Sequence, residues 1–348
     1  VDATKAVVTG VTETVGEVDI DWHGRPSCVT LSDGTVAMVY VDGDVHAATV
    51  GGVHIRFSDD YGATWTDKDK TLGDDAVSFP TTIGEPFLFA APNGNLICAG
   101  ADVWSVAARG TYQSISTDGG ATWSEPAAMA ITGIDGDTDF LALIDDSFIY
   151  DGVIYLSGRI STDQAEANVK SVLVKSIDNG VNWTWVSDIT AAGQSHEVGI
   201  EYLGSNRIIA LIRDNGNSQT YRCFSNDMGA TWTTPEDINY MVRKTGKHRI
   251  FTLAHLKGEA NWWEDTHLLT GCFEFTASST RTNCLLFSSD SGQTWSPPRW
   301  VDSAYEDAGY GHIFWNPTTE QVVFMNYAGT AAAAALKQYN VTVDWKEV

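Results

Sequence analysis

Positive charge is scarce in this chain: 21 Lys and Arg stand against 45 Asp and Glu, giving a formal net charge of −24 and a pI near 4.4. A nucleic-acid partner or an anionic membrane surface would need a basic stripe, so neither is expected. Long apolar runs are missing too. None approaches the roughly 20 residues of a membrane-spanning helix, and the longest small-residue run is 331–335. Cysteine is sparse: five residues cannot all pair, and none has the CxxC spacing of a zinc site, so no metal or other cofactor is expected. Cys272 and Cys284 flank the turn at 277–280 and are candidates to face each other, though free buried thiols are the expectation for all five. There is no initiator Met and no signal-peptide pattern, so Val1 is read as the start of a processed or excised chain. An extracellular or secreted setting is compatible with that reading. Linkers and low-complexity segments are also absent.

What the chain does have is a repeat. The spacing S-x-D-x-G-x-x-W opens at Ser58, Ser116, Ser176, Ser225 and Ser288 and closes on Trp65, Trp123, Trp183, Trp232 and Trp295. A tight turn explains the residue types: the Asp carboxylate bonds backbone N–H groups across the loop, the Gly takes positive φ, and the Trp folds back as an apolar plug. Copies begin 58, 60, 49 and 63 residues apart, a period suited to a four-stranded propeller blade and too long for a helical solenoid repeat. Between them recurs a second pattern of apolar strand, tight turn and apolar strand. It reads 25–31 with 36–41, 85–91 with 96–100, 140–144 with 153–158 across an extended turn, 197–203 with 208–212, 250–256 with 268–273, and 310–315 with 322–325. Strands apolar on both faces are those sandwiched between blades. The expected fold is all-β, a six-bladed β-propeller with five such turns, in one domain covering 1–348. The sixth blade lacks the motif, so its outer part is expected from 336–345, with an N-terminal strand at 6–14 closing the ring.

Strand register then places residues. Counting eight back from the hairpin turns, or nine in blade five, puts Arg25, Glu85, Glu197, Arg249 and Tyr310 at one rim of the central cavity. Second strands end at the same rim with Asp42, Asp102, Arg159, Arg213, Glu274 and Tyr327. Polar residues bounding apolar strands are what a lined cavity requires, since charges near a propeller axis must be solvated, paired or bound.

The repeated turn resembles the Asp box (BNR repeat) of the sialidase, or neuraminidase, superfamily, where it is structural and lies opposite the active site. Arg25-Pro26 resembles that family's Arg-Ile-Pro motif with the middle residue missing; Glu197 with Arg213 resembles its Glu-then-Arg pair in blade four. Arg249 looks like its third Arg and Tyr310 like its Tyr. The resemblance implies a retaining exo-α-sialidase: Tyr310 as nucleophile, Glu197 as its base, and Arg25, Arg213 and Arg249 holding the sugar carboxylate, with Glu85 and Asp102 as further substrate contacts. The chemistry is coherent, because a phenol avoids the repulsion that a carboxylate nucleophile would meet at an anomeric carbon bearing its own carboxylate. The acid is expected in the 42–47 segment, at Asp44, with Asp42 and His46 as alternatives. The expected partner is a sialylated or other acidic glycan.

Plainer readings stand beside these. Arg25 is equally a salt-bridge partner of Glu85 or Asp42 across a blade boundary, Glu197 competes with Glu201 on its strand face, and Trp262 and Trp263 read as stability or partner contacts on the Asp-box face. A glycosidase of the same fold acting on another sugar, and a non-catalytic glycan-binding propeller, are the alternatives to sialic acid hydrolysis.

Overall fold

The computed structural model describes residues 13–15, 22–43, 51–72, 83–102, 110–133, 140–161, 168–193, 196–214, 219–243, 245–277 and 280–343. Its strands form six antiparallel blades around an axis. The innermost strands are Trp22–Thr30, Ile83–Ala90, Phe140–Tyr150, Val198–Gly204, Thr245–Thr252 and Asp307–Asn316. Each pairs with the next strand of its blade through a short turn; in blade five the connection carries the helix Leu253–Leu256 and the 3-10 turn Trp262–Glu264.

Blade six closes the ring. Its third strand, Ala334–Val341, pairs antiparallel with Glu13–Val15 on one stretch and meets blade one in parallel at Trp22↔Ala334. The first and last parts of the chain thus share one sheet, as the missing motif in blade six required. The 6–12 part of the expected closing strand lies outside the described residues.

The five Asp boxes are built alike. In the first, Ser58 Oγ accepts from Gly62 N at 2.7 Å, and Asp60 accepts from Thr64 N at 2.7 Å and from Thr64 Oγ1 at 2.6 Å. In the third, Asn182 supplies the donors instead of Thr. That box also joins blades: Trp183 is fully buried, its Nε1 donates to Gln113 Oε1 and Gly180 O at 3.1 Å each, and a Cβ on Gly180 would collide with Ile97 of blade two. Glycine is needed there for space as well as for its φ of 85°.

Carboxylates inside the barrel do similar work. Asp146 Oδ2 accepts from Ile200 N and Ile250 N at 3.1 Å each, tying blade three to blades four and five. Glu201 Oε2 accepts from Thr252 N at 3.1 Å and meets His255 Nδ1 at 2.8 Å. Burying such groups is tolerable only because backbone donors satisfy them. Trp262 and Trp263 pack on Tyr202, His255 and Tyr150, a stabilising cluster on the Asp-box face. Cys272 and Cys284 do face each other, Sγ to Sγ 3.4 Å, and all five cysteines are free and buried.

The inner strand of blade three corrects the sequence-based expectation. The segment 145–150 is strand, not extended turn, and the hairpin is tight at Asp151-Gly152. Two adjacent Asp read as a turn signal; here both are fully buried, one held by backbone N–H groups from two other blades.

Two measurements check this fold. Trp183→Ala is expected to cost about 3–5 kcal/mol in urea unfolding, whereas Ile177→Ser, at a side chain 77% exposed in the same box, is expected to change stability by less than about 0.5 kcal/mol. Burial raises the Asp146 carboxyl to about 7 against the lowering pull of Arg249, and burial likewise raises Asp145 and Asp302 to about 6. An acid whose folded pKa exceeds its unfolded value of about 3.9 favours the fold at low pH and loses that advantage as pH rises through the folded value. Stability is therefore expected to fall between about pH 4 and 7, and Asp146→Asn to flatten that limb; an unchanged slope would contradict the assignment.

Candidate active site

At the face opposite the Asp boxes, inner strands slip register against their partners. The shifts lie between Gly24 and Ser27, Ala142 and Asp146, Gly246 and Arg249, and Gly309 and His312. In three of these bulges the first inserted residue is left-handed: Arg25 at φ 56°, Lys247 at 35° and Tyr310 at 54°. Such a conformation costs a non-glycine residue about 1–2 kcal/mol, and a bulge re-aims a side chain that would otherwise follow the pleat. A glycine precedes each of the three. At Gly246 a Cβ would stand 2.7 Å from Phe273 Cζ and 2.9 Å from Arg213 Cδ, so the close approach excludes any side chain.

The redirected residues meet a network of charges. Arg159 is its hub: Nη2 lies 2.9 Å from Glu85 Oε2, and Nη1 lies 3.5 Å from Asp145 Oδ1 and 3.8 Å from Glu197 Oε1. Arg25 Nη1 reaches Glu85 Oε1 at 3.8 Å, and Lys247 Nζ is 3.8 Å from both Glu85 Oε2 and Asp145 Oδ1. Arg213 Nη1 contacts Glu197 Oε2 at 2.7 Å and donates to Tyr310 Oη at 3.4 Å. Above the Tyr310 ring lie the Arg25 guanidinium, 5.2 Å from the centroid, and the Lys247 ammonium at 5.1 Å. Counted formally, four cations (Arg25, Arg159, Arg213 and Lys247) meet three carboxylates (Glu85, Asp145 and Glu197). Among the described residues this count leaves one positive charge in excess, suited to an anionic group.

These neighbours set the protonation states. Burial opposes ionisation of Glu85, but Arg159, Lys247 and Arg25 outweigh it and bring its pKa down to about 2. Glu197 is likewise buried, and Arg213, His196 and Arg159 hold it well below the usual carboxylate range. Burial, reinforced by the Glu197 charge, raises the Tyr310 phenol to about 12, with Arg213 pulling the other way. At neutral pH the couple is a protonated phenol and an ionised carboxylate, sharing one Arg213 nitrogen.

Of the residues singled out from sequence, Arg25, Glu85, Glu197, Arg213 and Tyr310 come together. Arg25 and Glu85 do so partly as each other's counter-ions. Arg249 does not join them. Its Nε sits 3.1 Å from Asp146 Oδ1 and its guanidinium stacks 4.2 Å from the Phe87 ring centroid, further along the axis toward the Asp-box face. The extra residue in the Gly246–Arg249 bulge is the reason: it turns Lys247 into the cluster and leaves Arg249 beyond it. Glu201 pins the backbone of blade five through Thr252 N, whereas Glu197 lies in the rim cluster against Arg213. Asp42 is the penultimate residue of its strand, with Oδ2 3.3 Å from His54 Nε2. Asp102 ends its strand with its backbone paired to Ile83. Asp44 and His46 lie outside the described residues.

Lys247, Asp145 and, as hub, Arg159 escaped the sequence reading. Arg159 stood in the rim column without a role. For Lys247 a signal existed: Gly24-Arg25, Gly84-Glu85, Gly246-Lys247 and Gly309-Tyr310 share a glycine just before the rim residue.

Residues 51–254 match the model of the BNR repeat-like domain family. A sialidase of Paraclostridium sordellii is 27% identical over 257 residues, covering 64% of this chain and 61% of that protein, so the chain spans about three-fifths of that curated relative's length. Among solved structures, a Hadza microbial sialidase superposes with a TM-score of 0.69 at 18% identity, over 91% of this chain and 65% of that one. An α-L-arabinofuranosidase of Fusarium graminearum superposes with a TM-score of 0.65 at 14% identity, over 97% and 98% respectively. At such identities the two structures establish a common fold. The chain belongs to the BNR repeat-like domain family and is a six-bladed propeller of the sialidase superfamily.

Proposed function

We propose that the protein is a retaining exo-glycosidase that releases a terminal acidic sugar, sialic acid or a related keto acid, from glycans. The observation that carries this reading is the contact of Arg213 with both Glu197 and Tyr310 beneath the Arg25 guanidinium and the Lys247 ammonium. The sugar carboxylate takes Arg213, Arg25 and Lys247, the last in the place sequence reasoning gave to Arg249. Engaging Arg213 weakens its hold on Glu197, whose basicity rises, so ligand binding itself prepares the base. Tyr310 then passes its proton to Glu197 while its oxygen bonds the anomeric carbon; the leaving oxygen takes a proton from the acid, for which Asp44 is the candidate. Water attacks the glycosyl-tyrosine in the second step, its proton going to the same acid, and the phenol regains its own from Glu197.

A second reading, a glycosidase for a neutral sugar, is favoured by one feature: Arg25 and Lys247 already share Glu85 as a counter-ion, so neither is left without a carboxylate nearby when no anionic ligand is bound. Structural likeness to an arabinofuranosidase supports it equally.

Turnover of a fluorogenic sialoside separates the two. Tyr310→Phe is expected to lower kcat by at least about 10³-fold. Lys247→Met is expected to lower kcat/KM by about 10–100-fold, the equivalent of roughly 1.5–3 kcal/mol for one charge-assisted hydrogen bond, with Lys247→Arg restoring most of it. No turnover by folded wild-type protein, together with cleavage of an arabinofuranoside that Lys247→Met leaves unchanged, would replace the first reading by the second.

A further inference from the structure

Past the charged cluster, toward the Asp-box face, the axis opens into a cavity of about 240 Å³. Its walls come from the inner strands of blades one, two, three, five and six and from the helix Leu253–Leu256. Most of the lining is apolar, with Phe89, Phe148, Phe251 and Phe314 contributing. Two buried polar side chains face it, Arg249 and His312, each 5% exposed.

Among the described residues neither has its hydrogen-bonding capacity filled. Among the described residues Arg249 makes one polar contact, the ion pair from Nε to Asp146, and its Nε has no hydrogen-bond partner of proper geometry. Asp146 is itself already engaged by the backbone N–H groups of Ser147, Ile200 and Ile250. Among the described residues Nη1 and Nη2 of Arg249 have no hydrogen-bond or ion-pair partner, and the guanidinium carbon lies 4.2 Å from the Phe87 ring centroid, so the fork is open to a ligand in the cavity that Arg249 lines. His312 Nδ1 is buried without a hydrogen-bond partner among the described residues. Burial and the Arg249 charge keep that imidazole neutral, well below its ordinary pKa, so it offers hydrogen bonds without adding to the positive charge. A guanidinium fork matches a carboxylate with two parallel bonds, and an unpaired buried donor costs about 1–3 kcal/mol until such a partner arrives.

We propose that this axial cavity is a second binding site, for a small aromatic carboxylate, with the carboxylate on the Arg249 fork beside His312 and the ring among the phenylalanines. The volume fits: a cavity of about 150 Å³ holds benzene, leaving room here for a carboxylate beyond the ring. Acetate or chloride would satisfy the fork and leave the apolar walls bare; a neutral aromatic would fill the walls and leave the fork unpaired. The site is separate from the Tyr310 cluster, and the inference holds whether or not the glycosidase reading does.

The test is isothermal titration of wild-type protein with benzoate, benzamide and acetate. Saturable benzoate binding is expected, at least about 10-fold tighter than for benzamide or acetate, each tenfold being about 1.4 kcal/mol. Ala90→Leu fills the cavity from its wall while leaving Arg249 and Asp146 in place, and is expected to abolish benzoate binding without lowering the urea midpoint or altering binding at the other face. Lys247→Met should leave benzoate affinity unchanged. Absence of saturable benzoate binding to wild type, or binding that survives Ala90→Leu and disappears in Lys247→Met, would overturn the proposal, the latter by placing benzoate in the Tyr310 cluster. Arg249→Met serves as a second check: a folded variant that binds benzoate as well as wild type would equally overturn it.

Discussion

One guanidinium, that of Arg159, holds carboxylates from three blades: Glu85 of the second, Asp145 of the third and Glu197 of the fourth. The group is 3% exposed, and its partners are no more than 4% exposed, so none of these charges has water to fall back on. Removing one member of a buried pair leaves its partner uncompensated, at a cost of about 3–5 kcal/mol. Arg159 therefore fixes the spacing of the inner strands at the rim. Glu197, so fixed, positions Arg213, and Arg213 in turn reaches Tyr310. The chemistry proposed for the cluster depends on that chain of contacts.

Along the axis the polar groups fall into layers, and one device separates them. Above the bulges, Arg25, Lys247 and Tyr310 are turned toward the cluster at a conformational cost. Below them, Asp146 and Glu201 collect backbone N–H groups from neighbouring blades and stitch the inner strands together. Beside Asp146 and Glu201, and extending toward the Asp-box face, lies the cavity with Arg249 and His312. Lys247 and Arg249 are two residues apart and would share a strand face in a regular pleat; the bulge gives one to each layer. The same backbone irregularity thus accounts for what the upper cluster contains and for what the lower cavity is left with.

The turns and hairpins were legible because their signals are local. Each Asp box needs only its own eight residues to declare itself, and Asn93-Gly94 or Asp33-Gly34 needs only a pair. Glu197 was legible as a rim residue because it sits just ahead of the continuous run from Val198 to Tyr202, the one register shift of that hairpin lying at its turn, between Tyr202 and Gly204. Legibility failed where the deciding partner is remote. Asp145-Asp146 looks like loop because nothing nearby in the chain neutralises it; Arg159, Arg249 and the backbone of blades four and five do so in the fold. Lys247 was passed over for Arg249 because counting back along a strand assumes no inserted residue, and the inserted residue is the functional feature.

The account stands on Tyr310 being the atom-bonding partner of the sugar, with Glu197 as its proton acceptor. A sialic acid derivative fluorinated beside the anomeric carbon and carrying a good leaving group slows the second step, and peptide mapping of the trapped protein by mass spectrometry locates the covalent bond. The account predicts the mass increment on the peptide containing Tyr310, and none when Tyr310 is Phe. An increment on Glu85 or Glu197, or steady release of the leaving group with no trapped species, would contradict it.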